Sequence, residues 1–88
     1  MLNRAVVIGV GHYLPERVVP NSHFESFLDT SNEWIVSRSG IERRHFAAEG
    51  EMTSDLAANA ARAALAHAGL EANDIDAIVL ATSTADLT

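Results

Sequence analysis

Residues 29–41 read DTSNEWIVSRSGI and carry signals for both the start and the end of a short helix. Thr30 and Glu33 form a capping-box pattern, in which the threonine oxygen accepts a hydrogen bond from an amide of the first turn and Glu33 reaches back to the Thr30 amide. Gly40 is suited to the left-handed residue that closes a helix. The pattern therefore predicts a helix of two to three turns that starts at Thr30 and ends at Ser39.

Apolar runs on either side of this stretch predict a sheet. Residues 5–11 are β-branched, apolar and punctuated by glycine, which is typical of a strand buried on both faces. Residues 75–82 predict a second strand of the same kind. Because a helical segment lies between them, we expect a βαβ unit with parallel strands and a right-handed crossover.

Two further helices are predicted around the central stretch. Asn21 can cap a short helix that runs to about Leu28. Thr53 or Ser54 can cap an alanine-rich helix that Gly69 ends, and we expect this helix to be buried on more than one side. The fold class is thus α/β, with a βαβ unit interrupted by a pair of short helices.

Composition excludes several classes of function. The chain has 88 residues, a net charge of −6 and no lysine, so it lacks the broad basic face that nucleic-acid binding needs. No apolar run is long enough to span a membrane and no signal-peptide pattern is present, so we expect a cytoplasmic protein. The absence of cysteine excludes disulfides, thiolate metal sites and a cysteine nucleophile within these residues.

One face of the predicted central helix carries the best candidate for a binding site. Thr30, Trp34 and Arg38 follow i, i+4, i+8 spacing, which places them along one face. A tryptophan ring can stack on a purine and an arginine offers forked donors to phosphate, so together they suit an adenine nucleotide. Spacing alone also allows the alternative, in which Trp34 anchors the core and Arg38 is solvated or ion-paired.

Other polar patterns give weaker evidence for a functional site. Gly9 and Gly11 lie at the end of the first predicted strand, but Leu14 stands where a dinucleotide-binding motif needs its third glycine, so we interpret the glycines as a close backbone approach. The basic run from Arg43 to His45 either contacts phosphate or pairs with nearby carboxylates, and the second interpretation is favoured. No histidine has metal-ligand spacing, so no metal site is predicted.

The order of these motifs resembles the opening of the β-ketoacyl-acyl-carrier-protein synthase III family from residue 4 to residue 86. The similarity is most specific at residues 29–41, which are followed by Arg44 and His45. Residues 9–15 (GVGHYLP) and the run from Ile75 into residues 81–84 (ATST) support it. The resemblance implies a thiolase-like fold with a layered αβαβα core, of which residues 1–88 form a partial amino-terminal domain.

The resemblance also implies a function and a site. In this family an acyl group passes from acyl-coenzyme A to a cysteine and then condenses with malonyl-acyl carrier protein, with loss of carbon dioxide. Trp34 is expected to stack on the adenine of coenzyme A, with Thr30 beside it and Arg38 near the phosphates. Acyl-coenzyme A is a substrate, so no cofactor is implied, and the full-length enzyme is expected to form a homodimer.

No catalytic residue of the family can be assigned in this chain. The cysteine, histidine and asparagine that the resemblance implies are expected beyond Thr88, so the segment alone is predicted to be inactive. Two alternatives to this interpretation remain open. In the first, the chain is a small non-catalytic α/β interaction or dimerisation module. In the second, it is the start of a related condensing enzyme that primes polyketide or quinolone synthesis.

Overall fold

The computed structural model describes residues 4–87. These residues form two compact units. One unit is the continuous segment Leu14–Gly50, and the other combines residues 4–13 with residues 51–87.

The continuous unit is built from a two-stranded antiparallel sheet and two short helices. The strands pair with Arg17 opposite Phe46 and Pro20 opposite Arg43. Both helices lie in the connection between the strands, so the strands are not joined by a tight hairpin turn. In chain order the elements are β1 (Arg17–Pro20), α1 (Asn21–Glu25), α2 (Asn32–Ser39) and β2 (Arg43–Phe46).

The core of this unit is small. Val19 from β1 and Ile35 from α2 are its buried apolar side chains, with 4% and 9% of their surface exposed. Asn21, the first residue of α1, is more deeply buried, at 1%. Phe24 and Phe46 add an aromatic contact between α1 and β2, with ring centroids 6.2 Å apart.

The other unit contains the long helix α3 (Thr53–Ala68), followed by a 3-10 turn at Ala72–Asp74. Gly69 closes α3 in the left-handed conformation with φ of 71°, as the sequence predicts. At the other end, the Asp55 carboxylate accepts a hydrogen bond from the Met52 amide. Met52 occupies the cap position, so the predicted cap at Thr53 or Ser54 is wrong by one or two residues.

Residues 9–11 pack against the carboxyl-terminal half of α3. A Cβ on Gly11 would lie 2.3 Å from the backbone nitrogen of Ala64, and one on Gly9 would lie 2.6 Å from the Cβ of Ala68. The Val10 amide donates to Nδ1 of His67 over 3.0 Å. The prediction that these glycines mark a close backbone approach is therefore confirmed.

The predicted positions of the strands are wrong for the part of the chain that the structure describes. Residues 5–11 and 75–82 contain no strand, so no βαβ unit forms, and the sheet lies instead at β1 and β2. Strands are defined by hydrogen bonds to a neighbour, and the apolar side chains of both segments are exposed, including Val7 at 79% and Val79 at 97%. No side chain of α3 is buried either, so its predicted burial on several sides is also wrong.

Candidate functional site

Helix α2 is held by caps at both ends. Ser31 is extended and its Oγ accepts a hydrogen bond from the Trp34 amide over 3.1 Å. Gly40 follows the helix with φ of 71° and donates its amide to the Val36 carbonyl over 2.7 Å. The left-handed closure agrees with the sequence analysis.

The start of α2 differs from the prediction by one residue. The sequence predicts Thr30 as the cap, but Ser31 has this role, so Trp34 occupies the third helical position in place of Glu33. A serine and a threonine in succession give almost the same capping signal, and the choice between them depends on backbone geometry. As a result, the buried Oγ1 of Thr30 has no hydrogen-bond partner within residues 4–87.

Trp34 and Arg38 lie side by side on the exposed face of α2. The guanidinium carbon of Arg38 lies over the Trp34 ring, 5.4 Å from its centroid, which is within the range of a cation–π interaction. Trp34 remains 56% exposed. It is therefore not a core anchor in this structure; Ile35, its neighbour in sequence, has that role at 9% exposure.

A cavity of about 850 Å³ opens beside this face. Thr30 and Trp34 both line it, and Arg44 enters from β2 with its guanidinium carbon 5.8 Å from the centroid of the Phe24 ring. The wall combines aromatic and aliphatic side chains with two hydroxyls, one carboxylate and one cationic side chain. The lining residues are Phe24, Leu28, Asp29, Thr30, Ser31, Trp34, Ile35, Arg44 and Phe46.

Sequence reasoning missed part of this wall. Sequence patterns assign no binding role to Phe24 and place Arg44 in a basic cluster that pairs with carboxylates. The structure divides that cluster: Arg43 lies 3.8 Å from Glu42, His45 Nδ1 lies 2.6 Å from the Pro15 carbonyl, and Arg44 turns to the cavity. The alternation of side chains along β2 separates Arg44 from its neighbours, a signal that becomes visible once residues 43–46 are known to be a strand.

A second polar cluster lies in the other unit, at the start of α3. The Ser54 amide donates to Oδ1 of Asp86 over 3.0 Å, and the Thr53 hydroxyl donates to the Thr84 carbonyl. Hydrogen bonds from the Ser54 hydroxyl and amide hold the pKa of the Asp86 carboxyl below its usual value of 3.8. This carboxylate completes the cap of α3, so the cluster has a structural explanation.

Residues 4–87 contain neither a metal-binding cluster nor a membrane-spanning helix. Among residues 4–87 no group of three or more histidine, aspartate or glutamate side chains could hold a metal ion. No helix in the same range is both long and apolar enough to cross a membrane.

A scan against protein families finds no match. Curated relatives, in contrast, match all 88 residues. The β-ketoacyl-[acyl-carrier-protein] synthase III of Ruegeria pomeroyi is 78% identical to this chain, and that of Roseobacter denitrificans is 72% identical. In both cases the chain spans 27% of the length of the relative.

Solved structures agree with the sequence matches. The 3-oxoacyl-(acyl carrier protein) synthase III of Pseudomonas aeruginosa has a TM-score of 0.77 and 54% identity, over 93% of this chain and 25% of that one. The priming β-ketosynthase of the R1128 polyketide pathway has a TM-score of 0.70 and 40% identity, over 80% of this chain and 21% of that one. These matches confirm the predicted thiolase-like α/β class. Since identity reaches 78% over the whole chain, these residues belong to the β-ketoacyl-acyl-carrier-protein synthase III family, as its amino-terminal segment.

Proposed function

We propose that this chain supplies the coenzyme A contact of an acyltransferase that starts fatty acid synthesis. The reaction would transfer a short acyl group from acyl-coenzyme A to an enzyme cysteine. Attack by malonyl-acyl carrier protein, with loss of carbon dioxide, would then release a β-ketoacyl product. The names and the high identity of the curated relatives support this reaction.

One observation carries the proposal. Trp34 keeps 56% of its surface exposed and lines the same cavity as Thr30, and Arg38 lies 5.4 Å from the centroid of the Trp34 ring. In the proposed complex, adenine stacks on the open part of the Trp34 ring and Arg38 approaches the phosphates. The unpartnered Oγ1 of Thr30 is then available to hydrogen-bond the nucleotide, which would remove the cost of leaving it unsatisfied.

The chain would act as part of a larger enzyme. It contains no cysteine, so the nucleophile of the condensation is not among its 88 residues, and we propose that these residues alone are inactive. Acyl-coenzyme A and malonyl-acyl carrier protein are the proposed substrates, without a bound cofactor. A homodimer in the cytoplasm, without contact to nucleic acid or membrane, is part of the same proposal.

A related function is the second candidate. The R1128 enzyme is named as a priming β-ketosynthase of a polyketide pathway, and it is 40% identical to this chain over the matched region. Fatty acid initiation is favoured because the synthase III of Ruegeria pomeroyi is 78% identical. The two candidates share the proposed coenzyme A contact.

A chimera tests the proposal. The 88 residues replace the matching segment of the Ruegeria pomeroyi synthase, and condensation is measured with acetyl-coenzyme A and malonyl-acyl carrier protein. We expect kcat within about threefold of the parent enzyme, with KM for acetyl-coenzyme A raised about tenfold or more by Trp34→Ala. A folded chimera without activity would favour the non-catalytic module.

A further inference from the structure

Asn21 is the most deeply buried side chain of the unit Leu14–Gly50, although its amide is polar. Its Nδ2 donates to Oδ1 of Asn32 over 3.0 Å and to the carbonyl of Ile41 over 2.7 Å. Its backbone amide donates to the carbonyl of Glu42 over 3.1 Å. The carbonyl of Ile41 can only accept, so the nitrogen of the Asn21 amide must face it, and the orientation of the side chain is determined.

The partners of this amide lie at opposite ends of one helix. Asn32 is the first residue of α2, and Ile41 follows the residue that closes it. A single side chain at the start of α1 therefore connects both ends of α2. Glu25, at the end of α1, strengthens the connection to Asn32, because its Oε1 accepts a hydrogen bond from the backbone amide of Asn32 over 2.6 Å.

We propose that Asn21 is a positioning residue that fixes the orientation of α2, and with it Trp34 and Arg38. Ile35 is the one buried apolar side chain on α2, so packing alone leaves the helix few restraints against rotation. Two directional hydrogen bonds from a buried amide supply the missing restraint, because displacement of α2 would leave both donors unsatisfied. The effect on coenzyme A binding rests on the proposed function, whereas the effect on the Trp34 environment does not.

Isosteric substitutions at the two ends of one hydrogen bond test this role. Asn21→Asp removes both donated bonds and places carboxylate oxygens against two acceptors. Asn32→Asp keeps an acceptor for the Asn21 amide and places a negative charge in the first turn of α2, where the helix dipole favours it. Because a buried charge at position 21 can unfold the chain, Asn32→Ala is the second variant. It removes the acceptor from an exposed position.

Two readouts separate positioning from a general loss of stability. Trp34 is the only tryptophan, so acrylamide quenching and near-ultraviolet circular dichroism of the 88-residue chain report its surroundings directly. Coenzyme A affinity is measured on the same variants by titration calorimetry. Far-ultraviolet circular dichroism and thermal melts confirm that each variant is folded under the assay conditions.

We expect Asn32→Ala to change the quenching constant of Trp34 and to weaken coenzyme A binding about threefold to tenfold, while Asn32→Asp stays within about twofold of the parent. Wherever Asn21→Asp folds, we expect it to change Trp34 quenching and coenzyme A binding more than Asn32→Ala does. Parent-like Trp34 signals in folded Asn32→Ala would overturn the proposal, as would equal effects of Asn32→Ala and Asn32→Asp. If the 88-residue chain binds no coenzyme A, affinity is measured in the Ruegeria pomeroyi chimera, where absence of binding would overturn the proposed function; the Trp34 signals alone then decide the positioning role.

Discussion

Gly11 lies against the backbone of Ala64 so closely that a Cβ added to it would be 2.3 Å from the Ala64 nitrogen. The neighbouring atoms at this point are also backbone, including the carbonyl carbon of Ala63 at 2.7 Å. Backbone within a helix cannot move aside without breaking its hydrogen bonds. Only glycine therefore fits at position 11 while residues 9–11 keep their contact with α3.

Gly11→Ala is expected to destabilise the unit that contains α3. Overpacking of this kind costs about 1–3 kcal/mol, because either the segment or the helix must shift. Thermal unfolding followed at 222 nm would detect the change as a lower midpoint. A midpoint equal to that of the parent would show that residues 9–11 do not pack on α3 as described.

Gly9 provides the matched control, because the nearest atom there is the Cβ of Ala68 at 2.6 Å. Ala68→Gly removes that atom, so the double variant Gly9→Ala/Ala68→Gly should recover part of the stability that Gly9→Ala loses, relative to Ala68→Gly alone. The same Ala68→Gly change should not rescue Gly11→Ala. Because the Ala64 carbonyl oxygen lies 2.9 Å from the same Cβ position, only partial rescue is expected at Gly9, and rescue of both variants would contradict the distinction between the two contacts.

Asp86 is expected to make the stability of α3 depend on pH. Hydrogen bonds from Ser54 lower the folded pKa of this carboxyl below 3.8, so the folded state favours the ionised form. The contribution of Asp86 to stability is therefore complete above the pKa that this carboxyl has in the unfolded chain, and it is lost as the pH falls through the pKa of the folded state.

Melting curves of Asp86→Asn and of the parent chain, recorded between about pH 6 and pH 2.5, test this expectation. The parent should melt higher above about pH 5, and the difference should shrink as the pH falls below about 4. Asp76→Asn, at an exposed position outside α3, serves as the charge-matched control. A constant difference over the whole range would mean that the ionised carboxylate does not cap the helix.

Ser31 and Thr30 are expected to respond in opposite ways. Ser31→Ala removes the cap of α2 and should cost about 1 kcal/mol of stability. Thr30→Val removes a buried hydroxyl that has no partner among residues 4–87, so stability should stay constant or rise. If the hydroxyl binds the nucleotide, the same change should weaken coenzyme A binding about threefold to tenfold. Loss of stability in Thr30→Val would instead favour the capping role predicted from the sequence.

Arg38 is expected to provide the salt dependence of nucleotide binding. Arg38→Gln removes the charge that would face the phosphates and also the contact with the Trp34 ring. Coenzyme A affinity should fall about tenfold at low salt, and the loss should narrow as ionic strength rises towards about 0.5 M, where charges are screened. Arg62→Gln on α3 is the charge-matched control and should have no effect. If the salt dependence of coenzyme A affinity is unchanged in Arg38→Gln, Arg38 does not contact the phosphates.

The sequence predicts the helices far better than the sheet. The end of α2 at Gly40 and that of α3 at Gly69 follow from local backbone preferences, which the chain carries in its own residues. Residues 5–11 and 75–82 have strand-like composition, but a strand also needs a hydrogen-bonded neighbour, and composition does not supply one. The strands that do form, Arg17–Pro20 and Arg43–Phe46, have only four residues each, so neither stands out by periodicity.

The sequence likewise predicts only part of the candidate site. Helical spacing was enough to place Trp34 and Arg38 side by side, and the structure confirms that arrangement. Arg44 and Phe24 come from different elements, and their approach depends on tertiary packing that spacing along one helix cannot predict. The burial of Asn21 is also a tertiary effect, because nothing in its local sequence distinguishes it from an ordinary polar residue at a helix start.

The exposed face of α2 is the proposed binding site for the nucleotide of coenzyme A. Calorimetric titration of coenzyme A into the Ruegeria pomeroyi chimera and its Trp34→Ala variant tests this directly, with Phe27→Ala as an exposed aromatic control outside the cavity lining. We expect Trp34→Ala to weaken binding by about tenfold or more, while Phe27→Ala leaves it unchanged. Equal affinity of the chimera and a folded Trp34→Ala variant would show that Trp34 does not contact the nucleotide.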